Sequence, residues 1–164
     1  MKTYRPITPS RRQMTGVSYG KILTRTEPEK SLTVGRKRKV GRSSRGIITV
    51  RHKGSGHKRL WRMVDFRYNK RGIPAVILSL EYDPNRSGFI GLVRYRDGEK
   101  RYLLLPSSLK VGDTVITSGE AELKTGNRLP LAKMPVGTKV YNIEPKPGSG
   151  AKLVRAAGTY AEIL

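Results

Sequence analysis

The chain has 164 residues, of which 36% are hydrophobic, and its 34 Lys or Arg outnumber 12 Asp or Glu to give a formal net charge of +22. There is no cysteine, which excludes disulfides and thiolate zinc sites and is typical of a reducing compartment. The longest apolar runs, AVIL at 75–78 and YLLLP at 102–106, are far shorter than the roughly 18 residues that a membrane span needs, so we expect no membrane partner.

Most of the positive charge lies in the first 71 residues, which hold 21 Lys or Arg against three acids, a net of +18. Like charges concentrated in this way repel one another and oppose compaction of a free domain. A polyanion bound to this half would remove the penalty, because Lys and Arg would replace its condensed counterions. Nucleic acid is therefore the leading candidate partner.

The first 44 residues show neither helical nor strand periodicity, because prolines and glycines interrupt every candidate element. We predict that residues 1–44 form an extended basic arm, disordered alone and ordered by its ligand. The run RKRK at 36–39 lies near the end of this arm and continues with Arg42 and Arg45.

Taken alone, this basic run is compatible with a nuclear address, a membrane-surface patch, a solvated basic face or an RNA contact. Its context favours phosphate contact. Neighbouring glycines allow the backbone to approach a phosphate closely, and Ser43 and Ser44 add hydroxyl donors.

From Arg45 the sequence changes to short β-type runs separated by turn signals. These six runs are GIITV (46–50), LWRMVDF (60–66), PAVILSLEY (74–82), GFIGLVRY (88–95), KRYLLLP (100–106) and DTVITS (113–118). Asp97-Gly98 is a strong hairpin signal, since both central residues of a type I′ turn need positive φ. Strands without helical interludes predict an all-β fold, with a small OB-fold-like barrel over residues 45–122.

Between the first two runs, RHKGSGHKR at 51–59 sets two histidines and several cations around a Gly-Ser-Gly loop. His52 and His57 are of a type that binds metals or transfers protons, but no cysteine, acidic partner or nucleophile completes such a site. A solvent-exposed turn is the plain alternative. We favour a tight loop inserted into RNA, with the imidazoles stacking or donating hydrogen bonds to phosphate or 2′-OH groups.

Most aromatic residues of the predicted strands are expected in the core of the barrel. Tyr68 is the exception, because it lies in a predicted loop between Arg67 and Asn69, and we predict that it stacks on a base or sugar. The acids of the barrel form no close pair suited to acid–base catalysis, and turn chemistry or pairing with Arg explains them more simply. We predict no enzyme, and no catalytic residue, metal or cofactor.

A second block follows the barrel. Prolines mark a linker over residues 123–136, and three further strand-like runs lie at 137–145, 152–157 and 159–164. Three strands bury little apolar surface, so we expect residues 137–164 to form part of a second β domain that is marginal by itself.

The candidate RNA-binding residues are cations, hydroxyls, imidazoles and the loop tyrosine of these segments. They are Arg11, Arg12, Arg36, Lys37, Arg38, Lys39, Arg42, Ser43, Ser44, Arg45, Arg51, His52, Lys53, His57, Lys58, Arg59, Arg62, Arg67, Tyr68, Lys70, Arg71 and Arg86.

The segment RGIITVRHKGSGHKR, followed by a strand ending in VDFRYNK, resembles the universal large-subunit ribosomal protein family called L2 (L-two). The opening KTYRPITPSRR resembles the family too. Further blocks do so in the same order: LEYDPNRS at 80–87, DGEKRYLL at 97–104, GNRLPLAKMPVGTKVYNIEPKPGSG at 126–150 and RAAGTYAEI at 155–163. The resemblance covers nearly the whole chain and is highly specific.

This resemblance implies an OB-like barrel and the first strands of an SH3-like barrel, both seated on large-subunit rRNA near the subunit interface. It implies support of subunit association, tRNA positioning and assembly of the peptidyl transferase region, with the chemistry done by RNA. Neighbouring ribosomal proteins and the small subunit are implied as further partners, with no small-molecule substrate. The implied location is the ribosome, cytoplasmic and of bacterial type or organellar.

The chain also departs from the family. Ser55 stands where the family often has Gly, and Ala156 where it often has Ser, so one possible phosphate donor is absent. Family members continue beyond the position of Leu164, through the rest of the second barrel. Roles that depend on that part are not implied for this chain.

Two other functions stay open on the residues alone. One is a free OB-type binder of single strands or RNA chaperone, which the long basic arm disfavours because an arm suits threading between packed RNA helices. The other is an enzyme acting on nucleic acid, which the lack of an acid pair or metal set disfavours.

Overall fold

A computed structural model describes residues 1–36, 40–54 and 56–164. Its elements are short, and most are strands. In chain order they are β1 (Lys2–Thr3), α1 (Pro9–Arg12), β2 (Thr15–Gly16), α2 (Tyr19–Ile22), a 3-10 helix (Lys30–Leu32), β3 (Thr33–Gly35), β4 (Leu60–Arg62), β5 (Ala75–Glu81), β6 (Ile90–Tyr95), β7 (Lys100–Leu104), β8 (Thr114–Val115), a second 3-10 helix (Leu131–Lys133), β9 (Lys139–Val140) and β10 (Ala161–Glu162).

The centre of the fold is a four-stranded antiparallel sheet in the order β7-β6-β5-β8. The register between β5 and β6 shifts between Ile77 and Ser79, and such a bulge bends a strand and strengthens its twist. A parallel bridge from Val64 to Tyr102 continues the pairing beyond β7. The sheet curls into a half-barrel, so the predicted all-β, OB-fold-like domain is confirmed.

Both faces of this sheet are covered by apolar side chains. One cluster packs Ile77 of β5 against Val93 and Tyr95 of β6. The other packs Leu92 of β6 against Tyr102 of β7, on the opposite face. Neighbouring residues of β6 therefore enter different clusters, which follows from the alternation of side chains along a strand.

Two of the predicted strands are wrong. The run at 46–50 is a loop with an isolated bridge from Arg42 to Ile48, and Ile47 and Ile48 are 64% and 58% exposed. No sheet packs against these β-type side chains, so burial does not stabilise an extended strand there. The run at 152–157 likewise contributes an isolated bridge, from Leu153 to Ile143.

Part of the predicted arm has regular structure. β1 pairs with β2, and β3 pairs with β4. Thr24 exchanges hydrogen bonds with Leu80 through its amide, at 3.1 Å, and its hydroxyl, at 2.9 Å. The Glu29 amide donates to the buried hydroxyl of Tyr102 at 2.8 Å. β1 and β2 pair within the arm, whereas the segment from Thr24 to Gly35 is held by long-range hydrogen bonds that sequence periodicity cannot reveal.

Polar contacts join the second block to the loop between β4 and β5. The Arg128 guanidinium lies 4.4 Å from the ring centroid of Tyr68 and donates to Glu144 at 2.7 Å. Glu144 also accepts from the Gly150 amide at 2.9 Å, and the Ala151 amide donates to Phe66 O at 2.7 Å.

Within the described residues, no helix has the length and apolar character required to cross a membrane.

Candidate nucleic-acid interface

The loop of residues 41–53 is folded on itself by backbone hydrogen bonds. Gly41 O accepts from the amides of Thr49, at 2.8 Å, and Val50, at 3.1 Å. The Ser43 amide donates to Ile47 O at 2.9 Å. The Arg42 side chain donates to Gly46 O at 3.1 Å. These bonds fix the backbone from which the basic side chains project.

Gly41 is required by this geometry. Its φ is +69°, and a Cβ at this position would lie 2.6 Å from Val50 O. A larger residue would therefore combine left-handed strain with a backbone clash. His52, further along the loop, has a φ of 57°.

Most of the predicted RNA-binding residues are exposed to solvent. They are Arg11, Arg12, Arg36, Arg42, Ser44, Arg45, Arg51, His52, Lys53, His57, Lys58, Arg59, Arg67 and Arg71. Within residues 40–54 and 56–59, no cation lies within ion-pair distance of a described acid. The loop thus presents positive charge that the described residues do not neutralise.

The ion pairs among the described residues lie outside this loop and include two of the predicted RNA-binding residues. Lys70 bonds to Asp97 and Glu99, and the hydrogen bonds to these carboxylates raise the pKa of Lys70. Arg86 pairs with the buried Asp83 at 2.5 Å. Lys70 and Arg86 are therefore engaged within the barrel and are not free cations for phosphate.

Two further predicted residues are buried. Arg62 is 8% exposed and donates to Leu60 O at 3.0 Å, so the structure does not present it at the surface, and its contact with RNA stays a prediction. Ser43 is half-buried, and its hydroxyl oxygen is buried.

The structure buries Tyr68 and therefore does not present its ring for the predicted stacking on a base. Tyr68 is 9% exposed and belongs to the main apolar cluster. Burial raises the pKa of its hydroxyl, which accepts a hydrogen bond from Asn142, and Arg128 covers its ring. The loop location is correct, but the second block packs over it.

Three predicted residues, Lys37, Arg38 and Lys39, lie outside the described residues, as does the departure at Ser55.

The sequence analysis did not predict that Trp61 is exposed at the surface. This side chain is 38% exposed, and the Arg36 guanidinium lies 5.0 Å from its ring centroid. The signal was present in the sequence, because the only tryptophan lies between the basic residues Arg59 and Arg62. Its position on a predicted strand of a small barrel placed it, with most other aromatic residues, in the expected core.

The buried acids have structural partners. Glu81, 2% exposed, accepts hydrogen bonds from Ser79, at 2.9 Å, and Tyr102, at 2.7 Å. Burial, followed by the bond to Glu81, raises the pKa of the Tyr102 hydroxyl. Across residues 1–36, 40–54 and 56–164, no group of three His, Asp or Glu residues is arranged to hold a metal ion.

The sequence matches the models of two protein-family domains. "Ribosomal Proteins L2, RNA binding N-terminal domain" matches residues 29–117. "Ribosomal Proteins L2, C-terminal domain" matches residues 124–164. The first match includes the loop of residues 41–53, the segment in which exposed cations are concentrated.

Proposed function

Because the chain belongs to the ribosomal protein L2 family, a family of RNA-binding ribosomal proteins, we propose that it is a structural constituent of the large ribosomal subunit. It binds and stabilises large-subunit rRNA. It supports subunit association, tRNA positioning and assembly of the peptidyl transferase region, and the RNA performs the chemistry. The chain itself is not an enzyme, and its location is the ribosome, in the cytoplasm or an organelle.

The observation that carries this proposal is the loop of residues 41–53. Its backbone is held by its own hydrogen bonds, while Arg42, Arg45 and Arg51 are exposed. A fixed scaffold reduces the conformational entropy lost on binding. Cations without acidic partners release counterions when they meet phosphates, which favours RNA binding.

Arg101 of β7 provides a contrast with the cations of this loop. Arg101 donates to Asp65 at 2.7 Å and to Glu99 at 2.6 Å. Arg101 thus already has two acidic partners, and its positive charge is neutralised within the barrel. The cations of the loop of residues 41–53 differ from Arg101 because they have no acidic partner among the described residues.

A sucrose-gradient experiment tests the proposal. The tagged full chain, expressed in its own host at low level, should sediment with large subunits and remain with them after washing in moderate salt. Replacement of Arg42, Arg45 and Arg51 by Ala should shift it toward the free fraction, whereas Lys124→Ala should not. A slow free peak for the unmodified chain would contradict the ribosomal role and favour a free nucleic-acid binder.

A further inference from the structure

We propose that Trp61 is a base-stacking residue, and that Trp61, Val34 and Met63 form an apolar platform on which an unpaired nucleotide of rRNA rests. This inference rests on the proposed function and names the kind of RNA group that the interface recognises. It assigns to Trp61 the role that the sequence had indicated for Tyr68.

The platform follows from strand pairing. Val34 of β3 lies directly opposite Trp61 of β4, and Met63 lies two residues beyond Trp61, on the same side of an extended chain. The Met63 amide donates to Leu32 O at 2.9 Å, which continues the pairing. All three side chains are exposed: Val34 by 47%, Trp61 by 38% and Met63 by 44%.

The surroundings of the platform indicate its occupant. Arg36 places its guanidinium over the Trp61 ring, and His57, Lys58 and Arg59 precede β4 and are exposed. An apolar protein segment would have to desolvate this positive charge without compensation. A nucleotide instead brings a flat π-face for the indole and a phosphate for the neighbouring cations.

Trp61 provides its own spectroscopic signal, because it is the only tryptophan of the chain. The full-length protein is titrated with a large-subunit rRNA transcript and, separately, with inorganic polyphosphate, which has charge but no bases. Stacking predicts that RNA quenches the Trp61 fluorescence and that polyphosphate, bound at the same low salt, does not.

Affinity measurements on variants complete the test. Trp61→Ala should weaken binding of the transcript about 5- to 150-fold, the range for loss of one stacked base, with an unchanged salt slope. Trp61→Phe should retain most of the affinity, which separates stacking from loss of fold. Tyr160→Ala is the matched control, because Tyr160 is 60% exposed and also has a cation, Lys139, 4.4 Å from its ring centroid.

The outcomes distinguish the two proposals. Salt-dependent binding of the transcript by Trp61→Ala with wild-type affinity would overturn the stacking role and leave the ribosomal function intact. Equal quenching by RNA and polyphosphate, or equal losses in Trp61→Ala and Tyr160→Ala, would overturn it too. Absence of any RNA binding by the wild-type protein would overturn the proposed function together with this inference.

Discussion

The side-chain amide of Asn142 donates a hydrogen bond of 2.6 Å to the hydroxyl of Tyr68, which lies 74 residues earlier in the chain. Asn142 is 3% exposed and holds a left-handed backbone with a φ of 55°. A buried bond between such distant residues joins the second block to the barrel. It also explains why a loop tyrosine belongs to the core instead of the RNA interface.

Tyr68→Phe should destabilise the protein without weakening RNA binding. Removal of the hydroxyl leaves the Asn142 amide without its buried partner, which costs about 1–3 kcal/mol. Urea denaturation should show this loss, while affinity for rRNA at temperatures where both proteins are folded should stay unchanged. Tyr82→Phe, at a residue that is 44% exposed, should change stability by less than about 0.5 kcal/mol. A selective loss of RNA affinity in Tyr68→Phe would instead show that the Tyr68 hydroxyl contributes to RNA binding.

The bond between Arg128 and Glu144 should make stability depend on pH. Hydrogen bonds from Arg128 and then from the Gly150 amide lower the pKa of Glu144 below its ordinary value of 4.5. A lowered folded-state pKa contributes stability above the unfolded-state pKa, and this contribution is lost as pH falls through the folded-state pKa.

Glu144→Gln should therefore be less stable than wild type by about 1 kcal/mol at neutral pH, and the difference should shrink below about pH 4.5. Denaturation at a series of pH values measures it. Glu120→Gln, at an exposed residue, should follow the wild-type curve. A Glu144→Gln difference that is constant from pH 7 to pH 3 would refute the linkage.

Hydrogen exchange should show that the part of the predicted arm from Thr24 to Gly35 is ordered in the free protein. The Glu29 amide should be protected because it bonds to the buried Tyr102 hydroxyl. In Tyr102→Phe its protection should fall about tenfold, the effect of losing one net hydrogen bond. The Thr24 amide, which bonds to Leu80 O, is the internal control. Free exchange at both amides in the wild-type protein would support an arm disordered throughout.

Gly41→Ala should weaken RNA binding more than Gly46→Ala. Both glycines have positive φ, 69° and 82°, but only at Gly41 would a Cβ meet a backbone oxygen, Val50 O at 2.6 Å. Both variants carry the left-handed strain of about 1–2 kcal/mol, so the difference between them reports displacement of the loop. Filter binding to rRNA measures it, and equal affinities would show that the loop geometry does not matter for binding.

Arg45→Ala should reduce the salt dependence of RNA binding. If about six phosphates are neutralised, log K against log salt should have a slope of about −4 to −5. Loss of Arg45 should make that slope less negative by about one. Lys124→Ala removes the same charge, but Lys124 is already paired with Glu122 at 2.5 Å, so its slope should match wild type. A wild-type slope near zero would eliminate the electrostatic mechanism altogether.

The sequence by itself determined the features that depend on local or summed properties. Its charge asymmetry indicated a polyanionic partner, and its turn signals and apolar runs predicted β5, β6 and β7 within a few residues. The Asp97-Gly98 turn joins β6 to β7 as predicted, but only Gly98 has a positive φ, 89°, so the expected type I′ geometry, with positive φ at both residues, is wrong. These features need no knowledge of distant contacts, because turn preference and strand alternation act over a few residues.

Tertiary structure alone decided which aromatic residue is buried. Tyr68 lies in a loop and is covered by Asn142 and Arg128, whereas Trp61 lies on a strand and is exposed because β4 pairs with β3 and presents one face to solvent. The same holds for the cations, since the partners of Lys70 lie 27 and 29 residues further along the chain. The burial of a side chain and the neutralisation of its charge depend on contacts between segments that are distant in the chain. Residue type and local spacing do not specify those contacts.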